Sequence, residues 1–267
     1  MIAELAFQPG LILDSSAGDA ARNFPISLKT LGPGADKRDV YALRYRSFHA
    51  AGWIGPQTLE QFHDSFDELG SSLSIAAYQG ETVVGTIRLT FGGEGLGTST
   101  MPSQANFPAE IARLQALGNR RLVEFTRLAV EPGIGNTSFR TTLYGTLVRA
   151  GTVVALAGEV DYAVIAVHEK LARVYRFLAG FEELARSASY GDIAEPTHLL
   201  GRDFQALNSR RRLRNAFFRI TPQDVATARV ALARVAPLIA GDRRTVPERK
   251  SSANGEGAPI RRDKFTS

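Results

Sequence analysis

Runs of alternating apolar and polar residues are separated along this chain by longer stretches in which apolar residues recur every three or four positions. The two periods predict a series of strands and helices. Residues 24–31 read as a strand, and 36–50 as a helix with Val40, Leu43 and Phe48 at helical spacing behind an Asp cap. Residues 72–78 and 82–90 read as strands joined by the hairpin signal Gln79-Gly80-Glu81. A Gly-rich loop, 91–100, leads to an amphipathic helix at 108–117 and a core strand at 122–130. A long helix at 137–157, a strand at 162–167, a helix at 169–178 and strands at 182–189 and 198–204 complete the series. This order describes an α/β fold of the α+β, mixed-sheet kind: a central sheet flanked by helices, with one parallel crossover around the long helix. An added C-terminal helix starts at Thr221-Pro222-Gln223-Asp224, which supplies a hydroxyl cap, Pro at the first helical position and an acid three residues after the cap.

The expected organisation is an N-terminal extension over 1–22, a main domain over 23–206, a basic segment with the accessory helix over 207–240 and a disordered basic tail over 241–267. The tail is rich in Gly, Ser, Arg and Lys and has too few apolar residues to offset its ordering entropy. Elsewhere the composition, 44% apolar and 22% charged over 267 residues, is that of an ordinary globular protein.

The absence of cysteine excludes disulfides, thiolate metal clusters and a Cys-bound acyl intermediate. The N-terminus has neither a basic lead nor a small-residue cleavage site, and no run approaches a membrane span, so the expected location is cytoplasmic. A net charge of +5 favours acidic partners: nucleic acid, an anionic membrane surface touched peripherally, or an acidic protein. Much of the excess lies in Arg210-Arg211-Arg212-Leu213-Arg214 and in the tail. Neither segment has the aromatic interleaving of single-strand binders, so no specific nucleic acid is expected.

The positions that carry chemistry lie between residues 44 and 127. Arg44, Phe48, Trp53, Asp64, Asp67, Arg88 in Gly85-Thr86-Ile87-Arg88-Leu89, Glu124 and Arg127 follow in an order that resembles the motif set of acyl-homoserine-lactone synthases. The wording of Leu122-Val123-Glu124-Phe125-Thr126-Arg127-Leu128 and of Leu143-Tyr144-Gly145-Thr146-Leu147-Val148-Arg149-Ala150-Gly151 looks closer to the related N-acyl amino acid synthases. The resemblance implies a GNAT-like acyltransferase fold and acyl chains taken from acyl carrier protein. Trp53 stands five residues after Phe48 rather than six, a departure that counts against homoserine-lactone formation.

Aminolysis of a thioester needs a free amine, yet an α-amino group titrates at about 8 and is mostly protonated at neutral pH. A positioned carboxylate can serve as base, and Glu124 is the candidate; the competing reading is a cross-strand ion pair. Backbone N–H groups near the same strand would hold the oxyanion. Strand side chains alternate faces, so Glu124 and Arg127 can cooperate only across a β-bulge, which the resemblance implies and which is expected at or near Phe125-Thr126. Phe125 and Thr126 are therefore counted among the substrate-binding residues.

Asp64 and Asp67 share a face if their segment is helical and could network with Arg44 and Arg88 around a substrate carboxylate, Arg46 being an alternative to Arg44. Phe48, Trp53 and Phe66 could wall an acyl pocket or simply be core. His168, after a strand and before a helix, is a candidate auxiliary acid or base. Tyr175 with Gly180-Phe181 resembles the ending common in GNAT proteins, which implies that the Tyr can protonate a leaving thiolate.

Coenzyme A-dependent GNAT enzymes carry a basic or Gln-led glycine loop for pyrophosphate, whereas this chain has Glu131-Pro132-Gly133-Ile134-Gly135-Asn136-Thr137. An acid in the lead position favours a carrier-protein donor, and Arg120, Arg121, Arg140 and Arg149 would suit an acidic carrier. The expected function is transfer of a long-chain acyl group from an acyl-phosphopantetheine thioester, acyl carrier protein or acyl-CoA, to the α-amino group of an amino acid. No metal and no tightly bound cofactor are expected. The alternatives are an acyl-homoserine-lactone synthase using S-adenosylmethionine and a non-catalytic acyl- or nucleic-acid-binding module.

Overall fold

The computed structural model describes residues 2–5, 26–93, 96, 101–117, 121–187, 197–204 and 220–240. Its strands are β1 (Ile2–Leu5), β2 (Ile26–Leu31), β3 (Ser72–Gln79), β4 (Thr82–Gly93), β5 (Arg121–Val130), β6 (Tyr162–His168), β7 (Glu182–Ser187) and β8 (Thr197–Asp203). They form one sheet in the order β1-β2-β3-β4-β5-β6-β8-β7. Every pairing is antiparallel except that of β5 with β6. The helices are α1 (Arg38–Ala50), α2 (Pro108–Ala116), α3 (Thr137–Ala157), α4 (Glu169–Ala179), α5 (Pro222–Val235) and the short α6 (Pro237–Ala240). The mixed sheet with one crossover through α3 is the architecture the residue pattern predicts.

Three differences from the predicted elements have physical reasons. No element is expected at residues 2–5; they pair antiparallel with β2, Ile2 opposite Leu31, because that edge of the sheet offers a backbone partner. β4 runs on to Gly93 through the start of the expected glycine loop, because Phe91, Gly92 and Gly93 pair with Val123, Leu122 and Arg121 and the ladder outweighs glycine's poor strand propensity. The helix expected from Asp36 begins at Arg38, since the Asp36 carboxylate accepts from the Arg38 backbone and side chain instead of capping a longer helix. The expected box at Thr221 does form: Thr221 Oγ1 accepts from Asp224 N at 3.1 Å and Asp224 Oδ2 accepts from Thr221 N at 2.8 Å. Asp224 also receives Arg149 of α3 at 2.8 Å, fastening α5 to the body. The Arg210–Arg214 cluster, Arg120 and the basic tail lie outside the described residues.

The alternation along β5 sorts the two faces of the sheet. Leu122 packs with Ile111 and Leu114 of α2, while Val123 and Phe125 join the main core with Leu147, Ala150 and Val154 of α3. Helices α1 and α2 therefore cover the face that carries Glu124 and Thr126, and α3, α4 and α5 cover the other. Close approach of α3 to β5 depends on Gly151, where an added Cβ would fall 2.6 Å from Phe125 Cε1.

The expected bulge is present, two residues later than predicted. Thr86 pairs with Ala129 and Arg88 with Thr126, so Arg127 and Leu128 together oppose the single residue Ile87. Arg127 adopts φ +54°, a left-handed conformation uncommon outside glycine. The ladder stays regular through Thr126 because Arg88 Nε donates to Thr126 Oγ1 at 3.0 Å across the strands.

Replacing Gly151 with Ala is expected to lower stability by about 1–2 kcal/mol, the strain of overpacking exceeding the gain in helix propensity. Urea unfolding checks this, and Phe125→Leu in the same chain should recover most of the loss.

Candidate active site

The segment between α1 and β3 folds into a 3-10 turn, Ser65–Glu68, because two aspartates three residues apart close it reciprocally. Asp64 Oδ1 accepts from Phe66 N at 2.9 Å, and Asp67 Oδ2 accepts from Asp64 N at 3.1 Å. That geometry aims both carboxylates at the sheet. Arg44 Nη1 donates to Asp67 Oδ1 at 2.7 Å and its Nη2 to Ser74 Oγ at 2.9 Å. Arg88 Nη1 donates to Asp67 Oδ2 at 3.0 Å and to Asp64 Oδ1 at 2.5 Å. Arg127 Nη2 donates to Asp64 Oδ2 at 2.5 Å, with its guanidinium 4.2 Å above the ring of Phe62. The result is an alternating ladder, Arg44–Asp67–Arg88–Asp64–Arg127.

Burial raises the cost of ionising Asp64, but the guanidiniums of Arg88 and Arg127 outweigh it and hold its carboxyl at about 2. Asp67 is likewise held low, with Arg44 and Arg88 overcoming the effect of burial. Both stay ionised and neither is basic enough to take a proton from an amine. Arg46 faces elsewhere: its guanidinium forms a two-toothed pair with Glu131, 2.6 Å at the shorter contact.

Beside the ladder the sheet opens. Parallel pairing of β5 with β6 ends at Phe125 opposite Ile165, although both strands continue. A cavity of about 1120 Å³ occupies the gap, lined on its two edges by residues 126–128 and 166–168. It reaches both faces of the sheet. On the α1 side Phe48, Trp53, Phe62, Asp64, Phe66, Arg88 and Arg127 line it; on the α3–α4 side Phe125, Tyr144, Val148, Leu171, Tyr175 and Phe181 do. Phe48 meets Trp53 edge-on at 5.3 Å and Phe62 in a tilted stack at 5.1 Å; Phe48 and Phe62 are both core and wall, whereas the exposed Trp53 is wall alone. Tyr175 stands edge-on to Phe181 at 6.2 Å, and burial pushes its phenol up, which keeps it protonated. His168 lines the gap at the end of β6.

Glu124 shares the face of Thr126 and so, across the bulge, that of Arg127. It is fully buried, behind the cavity wall rather than in it. Its Oε2 accepts from both the backbone N and the Oγ of Ser103, each at 2.8 Å. Arg44 and Asp67 also lie behind the wall. The structure thus brings Asp64, Arg88, Thr126 and Arg127 together at the surface of one lobe, and places Phe125 in the other because it is on the opposite face of β5. Ser103 escaped the sequence reading. Its local signal is only a Pro-led turn, Pro102–Ala105, and no local pattern reports that this turn reaches Glu124.

Among the described residues no three or more His, Cys, Asp or Glu side chains come together as a metal site would require. The family described as N-acyl amino acid synthase FeeM matches residues 39–203. The solved structure of FeeM, an N-acyl amino acid synthase from uncultured soil microbes, is 20% identical, covers 71% of this chain and 96% of its own, and superposes with a TM-score of 0.56. The acyl-homoserine-lactone synthase LasI is 17% identical over 66% of this chain and 89% of its own, TM-score 0.46. The CoA-dependent acyl-homoserine lactone synthase BjaI is 16% identical over 74% and 81%, TM-score 0.44. No curated protein matches the chain.

Asp64→Asn is expected to destabilise the fold by about 3–5 kcal/mol at pH 7, since it strands buried guanidinium charge. Asp64 has a folded pKa of about 2, below its ordinary value of 3.8, so its stabilising contribution is present above pH 4 and lost as pH falls toward 2. Unfolding measured from pH 7 down to pH 2.5 should show the gap between native and variant protein narrowing only below about pH 4.

Proposed function

The chain belongs to the N-acyl amino acid synthase FeeM family and is an acyltransferase, and from that premise we propose that it joins a long-chain acyl group, delivered as a phosphopantetheine thioester on acyl carrier protein, to the α-amino group of an amino acid. The observation that carries this reading is the parting of β5 from β6 beside a charged ladder, with an apolar lobe beyond. An extended pantetheine arm fits the gap as a missing strand would. The acyl chain then lies in the α3–α4 lobe among Phe125, Val148 and Phe181, and the amino acid in the α1 lobe, its carboxylate toward Arg127.

In the reaction the amine nitrogen bonds to the thioester carbon, the carbon–sulfur bond breaks, and the products are an amide and a free thiol. Glu124 takes the proton lost by the amine through a water bridging the Thr126 wall, held in place by the two Ser103 donors. N–H groups at the bulge hold the oxyanion. Tyr175, kept protonated by burial, supplies the proton to the leaving sulfur, and His168 at the gap assists.

A carrier protein is favoured over free coenzyme A by the loop before α3. Glu131 leads it, paired to Arg46. Arg140 Nη1 donates to the carbonyls of Ile134 and Gly135 at 3.4 and 3.1 Å, and Asn136 caps the helix by accepting from Phe139 N at 2.9 Å. Of the amides that would cradle a pyrophosphate at this helix start, that of Phe139 is taken by Asn136, and an acid stands at the head of the loop.

Expression in a bacterial host followed by lipid mass spectrometry tests the reading. The native protein is expected to accumulate N-acyl amino acids, and Glu124→Gln about 10²-fold less or lower. Lactones in place of amides would move the assignment to homoserine-lactone synthesis, and equal product from the variant would remove Glu124 as the base. Val148→Trp, which fills the α3–α4 lobe, should shorten the acyl chains found in the product.

A further inference from the structure

Strand β8 alternates between the two faces of the sheet. Leu199 packs with Leu122 and Ile111 on the α2 side, whereas Leu200 and Phe204 belong to the main core on the α3–α4 side. Arg202 falls between these two on the same side, where alternation calls for a third apolar residue. It is 8% exposed and lines the cavity together with Phe181 and Phe204. Burial pushes its guanidinium down to about 10, which leaves it charged at neutral pH.

The ladder fixes its depth. β6 and β8 pair without a break, His168 opposite Thr197 and Ala163 opposite Arg202. His168 stands at the gap, close in sequence to Leu171, which lines the cavity and is exposed. From His168 to Ala163 is five steps of the strand, roughly 17 Å at about 3.3 Å each. Arg202 is also two residues beyond Leu200, the partner of Ile165, at which β6 leaves β5. An added Cβ at Gly180 would lie 4.0 Å from Arg202 Cζ, so the guanidinium reaches across from β8 to the turn between α4 and β7. It therefore stands at the end of the α3–α4 lobe remote from the gap, with Phe181 and Phe204 lining the same end.

We infer that Arg202 is a specificity-determining residue, a cation set across the far end of the α3–α4 lobe that limits the length of the acyl chain. That the occupant is an acyl chain rests on the acyl-transfer reading. Each methylene that enters the apolar part of the lobe tightens binding about fourfold. Methylenes that would reach Arg202 must instead press on a charge and strip it of polar surroundings, which costs more than they gain. Chain length is then set by where the charge stands and not by the volume of the cavity alone. An apolar residue at the same place would let the chain run on against Phe181 and Phe204.

The experiment has two arms. In the first, the purified full chain is titrated calorimetrically with fatty acid methyl esters of increasing length, which are neutral and so cannot form an ion pair with the cation. Native affinity is expected to rise with length and then fall. Arg202→Leu should move the optimum to longer chains, strengthening binding of the ester two methylenes beyond the native optimum about tenfold. Arg202→Lys, which keeps the charge, should leave the optimum in place. Arg202→Met, nearer to arginine in length, replaces the Leu variant if that one lacks a native unfolding transition. In the second arm the same variants are expressed in the bacterial host, and the uncharged variant should yield N-acyl amino acids with longer chains than the native protein. An optimum that stays put in the uncharged variant, as a merely structural role requires, overturns the inference. So does one that moves equally in Arg202→Lys, native affinity that climbs across the whole series, or product chains of unchanged length. The titration needs no turnover. A shifted optimum with no acylated product from the native protein sinks acyl transfer and leaves the charged stop, and native product with an unmoved optimum does the reverse.

Discussion

Five buried or half-buried charges alternate in sign from Arg44 through Asp67, Arg88 and Asp64 to Arg127, and they join α1, the 3-10 turn, β4 and the bulge of β5. Taking such groups out of water costs several kcal/mol per ion, so each is tolerable only with its partners in place. The ladder therefore couples elements distant in sequence, because displacing any one of them strands a charge on its neighbour. It also accounts for the strained backbone of Arg127. A left-handed residue in a strand is unfavourable, and the pair with Asp64 together with the stack over Phe62 offsets that strain.

The bulge has an effect beyond re-aiming one side chain. It adds a residue to β5 on the β4 side shortly after β5 has parted from β6, so the strand bends where the sheet must open. The cavity occupies the space left, and its two lobes differ because the faces of β5 differ: charged residues of the ladder beside Phe48, Trp53, Phe62 and Phe66 on the α1 side, and Phe125 with residues of α3 and α4 on the other. Gly151 lets α3 lie close enough to seat Phe125 in that second lobe. Chemistry that needs a polar acceptor site and a greasy donor site within one reach is compatible with this division.

Much of the candidate site is legible in the residue pattern. Apolar periodicity identifies nearly every element, with ends displaced by up to three residues, and the spacing of Asp64 and Asp67 indicates a shared face. The requirement for a bulge follows from alternation once Glu124 and Arg127 are taken to cooperate, as the resemblance implies. Its position does not, because the Arg88–Thr126 hydrogen bond that keeps the ladder regular is a cross-strand contact. Arg46 and Arg44 are two residues apart on one helix, and only packing decided that one reaches Asp67 and the other Glu131. Nor did local pattern indicate that residues 2–5 would join the sheet, as a short edge strand is defined by its neighbour.

The sequence by itself determined the alternating order of strands and helices, the capping chemistry of Thr221 and Asp224, the exclusion of cysteine chemistry, and the residue types from which a charged site could be built. These are properties of neighbours along the chain, where hydrogen bonds and periodicity act over a few residues. The tertiary structure alone decided which charges meet, that Ser103 holds Glu124 behind the cavity wall, and where β5 parts from β6. Those outcomes depend on contacts between residues far apart in sequence, made only when the sheet and its two helical layers have closed together.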